Sequence, residues 1–348
     1  MKRLFAILLC VLMVVAIVAC DKPEEKQEAE YKLGMGIVVS TASSKTGTAQ
    51  VDATVATVVT DADGKIVACR IDVAQNKMTV TGGAVETTKT FETKMELGTR
   101  YNMAAYGSDN DGDGRVLEWD VQTKEFEKYV VGMTAAQVEA IQLQEVNAHM
   151  IAVDKALLTA GCTMQITDFM AAVVKACNDE QGMSFKTAES FTLGVAAKTT
   201  VDAATKAATA DEAGVVAMYS DFAASVVVDG KVIASLNDAI QPKIAINAAG
   251  EIGETTFKGT KRELKEGYNM AAYGSDNDGD GRVLEWYVQS AEFSKYVVGK
   301  TAAEIAALET TEVNAHFVST DAALISAGCT MQITGIMAVV AQSATNAR

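Results

Sequence analysis

The sequence predicts an α+β protein of two tandem homologous domains, each a twisted, mainly antiparallel sheet with helices packed on it. Three observations lead there. The string YNMAAYGSDNDGDGRVLEW at Tyr101 to Trp119 returns unchanged at Tyr268 to Trp286, 167 positions on. In each copy the Val/Thr-rich segments come first and the helix-patterned segments follow, the order of α+β rather than alternating α/β chains. The 348 residues, 49% of them hydrophobic, are enough for two ordinary domains.

The repeat extends beyond the long string. His149 maps onto His316, each in an Asn-Ala-His triplet, and AGCTMQIT at Ala160 to Thr167 reappears at Ala327 to Thr334. Asp63-Gly64-Lys65 matches Asp229-Gly230-Lys231 at an offset one shorter. Two copies are too few for a solenoid. The expected domains are therefore residues 31–178 and 188–345, joined by a polar linker at 179–187.

The chain opens with Lys2 and Arg3 ahead of an apolar run from Leu4 to Val18. That run is shorter than the roughly twenty residues of a membrane span. A basic start followed by a short apolar stretch reads as a secretory signal. Ile17-Val18-Ala19-Cys20 resembles a bacterial lipobox, which implies a signal peptide over 1–20 and lipidation of Cys20. An uncleaved anchor would give the same location, the extracytoplasmic face of the membrane. Residues 21–30 are charged and lack an apolar period, so they read as a tether.

Within each copy, Val51 to Thr60 suits a strand, Asp61 to Gly64 a hairpin turn, and Ile66 to Val73 the returning strand. Ala224 to Val228, Asp229-Gly230 and Val232 to Leu236 repeat the pattern. Trp119, Gln122, Phe126, Tyr129 and Val130 fall on one helical face, as do Trp286, Gln289, Phe293, Tyr296 and Val297. Thr134 with Gln137, and Thr301 with Glu304, fit capping boxes. Thr167 or Asp168 is placed to cap a last apolar helix over Phe169 to Cys177.

Composition removes several functions. A net charge of −15 argues against nucleic acid, whose phosphates need clustered Lys and Arg. There is no CxxC pair, hence no structural zinc signature. Cys10 leaves with the signal. Cys69, Cys162, Cys177 and Cys329 have spacings that define no pairing and read as buried free thiols. Neither histidine has a Ser or acid at triad spacing.

Three features carry candidate chemistry. Gly161 and Gly328 sit two residues ahead of Thr163 and Thr330, just before an apolar helix. Such a start favours an anion, Gly admits a phosphate closely, and a Thr hydroxyl can bond or esterify it. The same residues also suit a turn with Thr as a cap. Next, Asp109, Asp111 and Asp113, with Gly114 in sixth place, match the first half of an EF-hand loop, as do Asp276, Asp278 and Asp280. Position 12 holds Asp120 in one copy and Tyr287 in the other, while Glu118 and Glu285 occupy position 10. A structural calcium ion or a solvated Asp/Gly turn fits this loop. Finally, Tyr106, Tyr273, Met103 and Met270 suit core packing, with stacking on a ring as the alternative. His149 and His316 read as core or solvent-facing residues.

With these residues in view, the chain resembles the covalent FMN-binding domain of extracytoplasmic flavoproteins, especially two-domain lipoproteins of flavin-based extracellular electron transfer. The likeness runs through nearly all of both copies. It rests on Tyr31-Lys-Leu-Gly-Met-Gly36, the Asp-Gly-Lys hairpin, Ile71 to Gln75, the Glu118-Trp119 helix, Val131-Gly132 and the final Gly-x-Thr. It implies FMN held by a phosphoester on Thr163 and on Thr330, with Gly161 and Gly328 matching the motif. It further implies a flavin transferase for maturation, and a membrane dehydrogenase or quinol pool as electron donor. The expected role is an electron carrier rather than a catalyst with its own substrate. The chain departs from the family motif at Ala160 and Ala327, where Ser is usual, and at Cys162 and Cys329, where Ala is usual. Asp154 and Asp321 lie farther upstream than the motif's Asp, and the second copy opens Phe191-Thr-Leu-Gly-Val-Ala196 without its second Gly.

Overall fold

The computed structural model describes residues 27–348. The expected signal peptide, Cys20 and positions 21–26 of the tether lie outside the described residues.

The first repeat begins with β1 (Ala29–Ser40), β2 (Thr48–Asp61), β3 (Ile66–Thr81) and β4 (Ala84–Val85). Asp61 closes the β2–β3 turn by accepting the Asp63 and Lys65 N–H groups on its carboxylate at 3.0 and 2.9 Å. Helical segments follow: α1 (Lys94–Leu97), α2 (Met103–Tyr106), α3 (Trp119–Tyr129) and α4 (Ala135–Glu139). A hairpin of β5 (Leu143–Val146) and β6 (His149–Ala152) leads to α5 (Lys155–Ala160) and α6 (Thr167–Cys177). After β7 (Met183–Thr187) the pattern restarts with β8 (Thr192–Val201), β9 (Gly214–Val228), β10 (Lys231–Ile240), β11 (Lys243–Ile246) and β12 (Ile252–Thr256). Then come α7 (Lys261–Leu264), α8 (Met270–Tyr273), α9 (Trp286–Tyr296), α10 (Ala302–Ala306), β13 (Thr310–Val313), β14 (His316–Ser319), α11 (Ala322–Ser326) and α12 (Thr334–Thr345). The α+β class is thus correct, and the strand pairings between these elements are antiparallel.

The first sheet runs β4-β3-β2-β1-β7. In the second, β9 pairs with β8 along one edge and with β10 and β11 along the other. Ile240 faces Ser220 and Lys243 faces Ala217, so β10 and β11 continue one register. Together they match the long β3. Pro242 stands between them, and its missing N–H interrupts the ladder.

The two sheets lie face to face. Leu33, Met35 and Ile37 of β1 share one apolar cluster with Val195 of β8, Phe222 of β9 and Ile240 of β10. On the outer face of the first sheet, Trp119 and Phe126 of α3 pack with Phe169 and Val173 of α6. Trp286, Phe293, Ile336 and Val340 do the same on the second. The order of layers is helices, sheet, sheet, helices. Each outer core belongs to one repeat, and the inner core is common to both.

Period-two alternation explains the Gly-rich opening. Odd positions of β1 enter the inner core, so Gly34 and Gly36 face outward under α6. A Cβ on Gly34 would collide with the Ala176 carbonyl, and one on Gly36 with that of Ala172. Gly194 meets Ser343 of α12 in the same way. These glycines let a helix lie directly on a strand.

Two expectations need correction. Residues 179–187 are not a free linker, because β7 pairs with β1 from Ala29↔Thr187 to Leu33↔Met183. Ahead of it, the partly buried Asp179 carboxylate accepts from Arg262 at 3.1 Å and from the Met35 N–H at 3.1 Å, tying the join to both repeats. Thr167 is the first residue of α6 rather than its cap, since Ile166 holds the cap position without a side-chain hydrogen bond. The boxes at Thr134/Gln137 and Thr301/Glu304 form as expected.

Candidate functional site: twin clefts beside the AGCT element

In each repeat the YNMAAYG segment wraps into a 3-10 turn and a one-turn helix, with Asn102 and Asn269 left-handed at the junction (φ 62 and 64). Glu118 holds this helix from below, accepting the Met103 N–H at 2.9 Å, and Glu285 accepts that of Met270 at 2.8 Å. These two acids therefore cap the helix, and they stand apart from the three-carboxylate clusters of the loops. The fold closes a cleft between this segment, the buried Trp, the β5–β6 hairpin and the residues after the AGCT element. Tyr101, Met103, Tyr106, Trp119, His149 and Met164 line the first cleft, of about 450 Å³. Their twins Tyr268, Met270, Tyr273, Trp286, His316 and Met331 line the second, of about 930 Å³. Both volumes suit a small-molecule site.

Tyr106 and Tyr273 are not core residues. They are 84% and 85% exposed and stand at the cleft. Met103 and Met270 pack against the outer cores as expected and also line the clefts, each in contact with the Gln amide of the helix behind it. Trp119 and Trp286 are core residues, as expected, and also form cleft wall. A lysine faces each Trp. Lys94 Nζ lies 4.7 Å from the Tyr101 ring centroid and 5.4 Å from that of Trp119. Lys261 Nζ lies 4.6 Å from the Tyr219 and Tyr268 rings and 5.3 Å from Trp286. These cation–π contacts place an ammonium group at each cleft, and burial brings that of Lys261 down to about 8.

Thr163 and Thr330 sit one residue behind the cleft wall, with only 5% and 7% of their surface exposed. Gln122 Oε1 accepts the Thr163 N–H at 2.9 Å and lies 3.5 Å from its hydroxyl. Gln289 Oε1 accepts the Thr330 and Met331 N–H groups at 2.9 and 2.8 Å. Gly161 and Gly328 are left-handed (φ 101 and 97) and end the preceding helices, their N–H groups bonding Leu158 and Ile325 carbonyls. Termination accounts for these glycines. A Cβ there would also strike Leu117 or Leu284. Of the threonines that open the last helices, Thr334 lines the second cleft, and Thr167 is absent from the wall of the first. Cys162 and Cys329 are buried, which pushes their thiols up to about 12, and Cys69 and Cys177 are also unpaired. None is a thiolate nucleophile at neutral pH.

The acidic loops lock onto this element. In each, the three Asp carboxylates bring one oxygen apiece within 4.8 Å of one another. Part of that valence is occupied. Asp109 accepts the Gly112 and Gly114 N–H groups at 2.8 and 3.0 Å, and Asp113 pairs with Arg115 at 2.6 Å. Asp276, Asp280 and Arg282 repeat the arrangement.

Sequence reasoning missed Lys94, Lys261, Asn110, Asn277 and Asp221. The lysines were within reach, since Thr93-Lys-Met-Glu-Leu97 and Thr260-Lys-Arg-Glu-Leu264 are repeats of one another. Asp221 carried no such signal, because Thr54 occupies the matching strand position. Among the described residues no helix is long and apolar enough to cross a membrane. The chain matches no protein-family model, no curated protein and no solved structure.

Proposed function

We propose that this is a lipid-anchored, extracytoplasmic electron carrier with one FMN held beside Thr163 and another beside Thr330. The observation that supports it most is the pair of aromatic, Met-lined clefts, built from the same repeated residues and each adjoining one of those threonines. A bound flavin supplies one- and two-electron chemistry. The chain supplies the rest. Trp119 and Trp286 offer a flat apolar wall, and Tyr106 and Tyr273 a ring free to stack from outside. Lys94 and Lys261 offer positive charge for an anionic group. A phosphoester on Thr163 needs its hydroxyl to turn from the Gln122 amide toward the cleft. A flavin transferase, a membrane dehydrogenase or quinol pool, and the Cys20 anchor belong to the same proposal.

Intact mass after co-expression with a flavin transferase tests it. Two FMN adducts are expected in the wild type, one in Thr163→Ala or Thr330→Ala, and none in the double variant. A wild-type chain without adduct beside an active transferase overturns covalent attachment. The burial of both hydroxyls favours a second reading, a surface lipoprotein binding module of this fold without redox function, its acidic loops taking calcium. A colourless protein with no flavin affinity would support that reading.

A further inference from the structure

The two clefts share their outer wall but not their inner end. In the first repeat Thr54 and Asp168 occupy the positions that Asp221 and Gly335 hold in the second. Thr54 faces Val73 across the ladder as Asp221 faces Ala239, and Asp168 and Gly335 are each the second residue of the last long helix. Gly335 leaves space at the start of α12. A Cβ there would collide with the Asp221 carboxylate. The second cleft therefore runs on past Trp286 to Asp221, Lys198 and the first residues of α12, and it is the larger of the two.

This inner end has an unmet hydrogen-bonding demand. Asp221 is 7% exposed, and its Oδ1 has no partner, one of three such buried side-chain atoms among the described residues. Lys261 does not meet it. Its Nζ donates to the Tyr219 hydroxyl at 3.0 Å and is surrounded by three rings. Tyr219 is the carboxyl group's one side-chain partner, and a buried carboxylate oxygen without a donor of its own is costly, so a ligand N–H at this end relieves that cost. Donors for the ligand's acceptors stand close by. The α12 N-terminus has no side-chain cap at Ile333, and Lys198 and Gln241 line the same wall.

We infer that the inner end of the second cleft, and not that of the first, is a subsite for a planar heterocycle presenting an N–H flanked by carbonyls, with the Asp221 carboxylate accepting the N–H. The inference rests on the flavin reading for the ring's identity, since an isoalloxazine carries that edge. The carboxylate selects the donor, α12 and Lys198 face the carbonyls, and Trp286 and Tyr268 cover the ring.

Riboflavin tests this on the full chain purified without transferase, because it lacks the phosphate needed for an ester. Fluorescence quenching and calorimetry should resolve two unequal sites. Asp221→Asn should weaken the tighter one about tenfold or more and leave the other unchanged. Gly335→Ala should do the same by crowding the carboxylate. A riboflavin methylated at the imide nitrogen should lose the same factor on the wild type, with no variant needed. Equal affinities, or indifference of the tighter site to imide methylation, overturn the subsite while leaving the cofactor proposal intact. No riboflavin binding at either cleft overturns the subsite, and the adduct mass after co-expression with the transferase decides the cofactor proposal separately.

Discussion

The Asn110 side-chain amide donates to the Thr163 carbonyl at 2.8 Å, and Asn277 donates to that of Thr330 at 2.9 Å. The acidic loop and the AGCT element, 53 residues apart in sequence, are thereby one structure. Asn147 and Asn314 extend the contact, donating to the Oδ1 of Asn110 and Asn277 from the β5–β6 and β13–β14 turns. The loop's second residue anchors it, which leaves the carboxylates at its first, third and fifth positions outside.

Asn110→Ala should cost about 1–3 kcal/mol, because it strands a buried carbonyl. Urea denaturation should give a lower midpoint with an unchanged slope. Asn277→Ala should match it, and Asp111→Ala, on the exposed side of the loop, should change the unfolding free energy by less than about 0.5 kcal/mol. Equal effects at Asn110 and Asp111 would refute the anchoring role.

Tyr106→Ala and Tyr273→Ala should leave thermal stability within about 0.5 kcal/mol of the wild type, since both rings are almost fully exposed. Riboflavin affinity should fall several-fold in each, the scale of an aromatic stacking pair at about 0.5–1.5 kcal/mol. Calorimetry on the two variants reads both quantities. A large loss of stability without a loss of affinity would contradict the placement of these rings.

Gly34→Ala and Gly194→Ala should destabilise by about 3 kcal/mol or more, because backbone carbonyls of α6 and α12 occupy the space the methyl needs. Gly267 is a useful control, with nothing within 4 Å of a Cβ built there. Gly267→Ala should be close to neutral in the same denaturation series.

Burial raises Asp72 and Asp238 to about 6, although each accepts two backbone N–H groups. Between about pH 4 and 6 the folded chain keeps protons there that the unfolded chain has lost. These two groups therefore lower stability as pH rises through that window, by up to about 2–3 kcal/mol each, and add no further slope above it. Asp72→Asn and Asp238→Asn should each flatten the pH dependence of the unfolding free energy between pH 4 and 6. A slope unchanged in both variants would contradict the burial argument.

For the acidic loops, millimolar calcium should raise the melting temperature by a few degrees over a chelator control. Asp109→Asn combined with Asp276→Asn should abolish the difference. Superimposable melts with no binding heat would exclude the ion.

Local chemistry determined much of this protein from the sequence alone. The β2–β3 and β9–β10 hairpins, the α3 and α9 stripes and the capping boxes depend on residues a few positions apart, and each formed where its pattern predicts. The exact repeat likewise announced two alike halves. The tertiary structure decided what depends on distant neighbours. Residues 179–187 read as polar linker, yet β1 offers an unpaired edge and β7 fills it. Tyr106 looked apolar enough for a core, but Glu118 fixes the one-turn helix that carries its ring outward. Thr163 matched a family motif by spacing, whereas its burial behind Met164 follows from Gln122 gripping its amide. Asp221 is ordinary in sequence. The crossing of α12 over β9 sets Gly335 against its Oδ2, and its Oδ1 is buried without a partner.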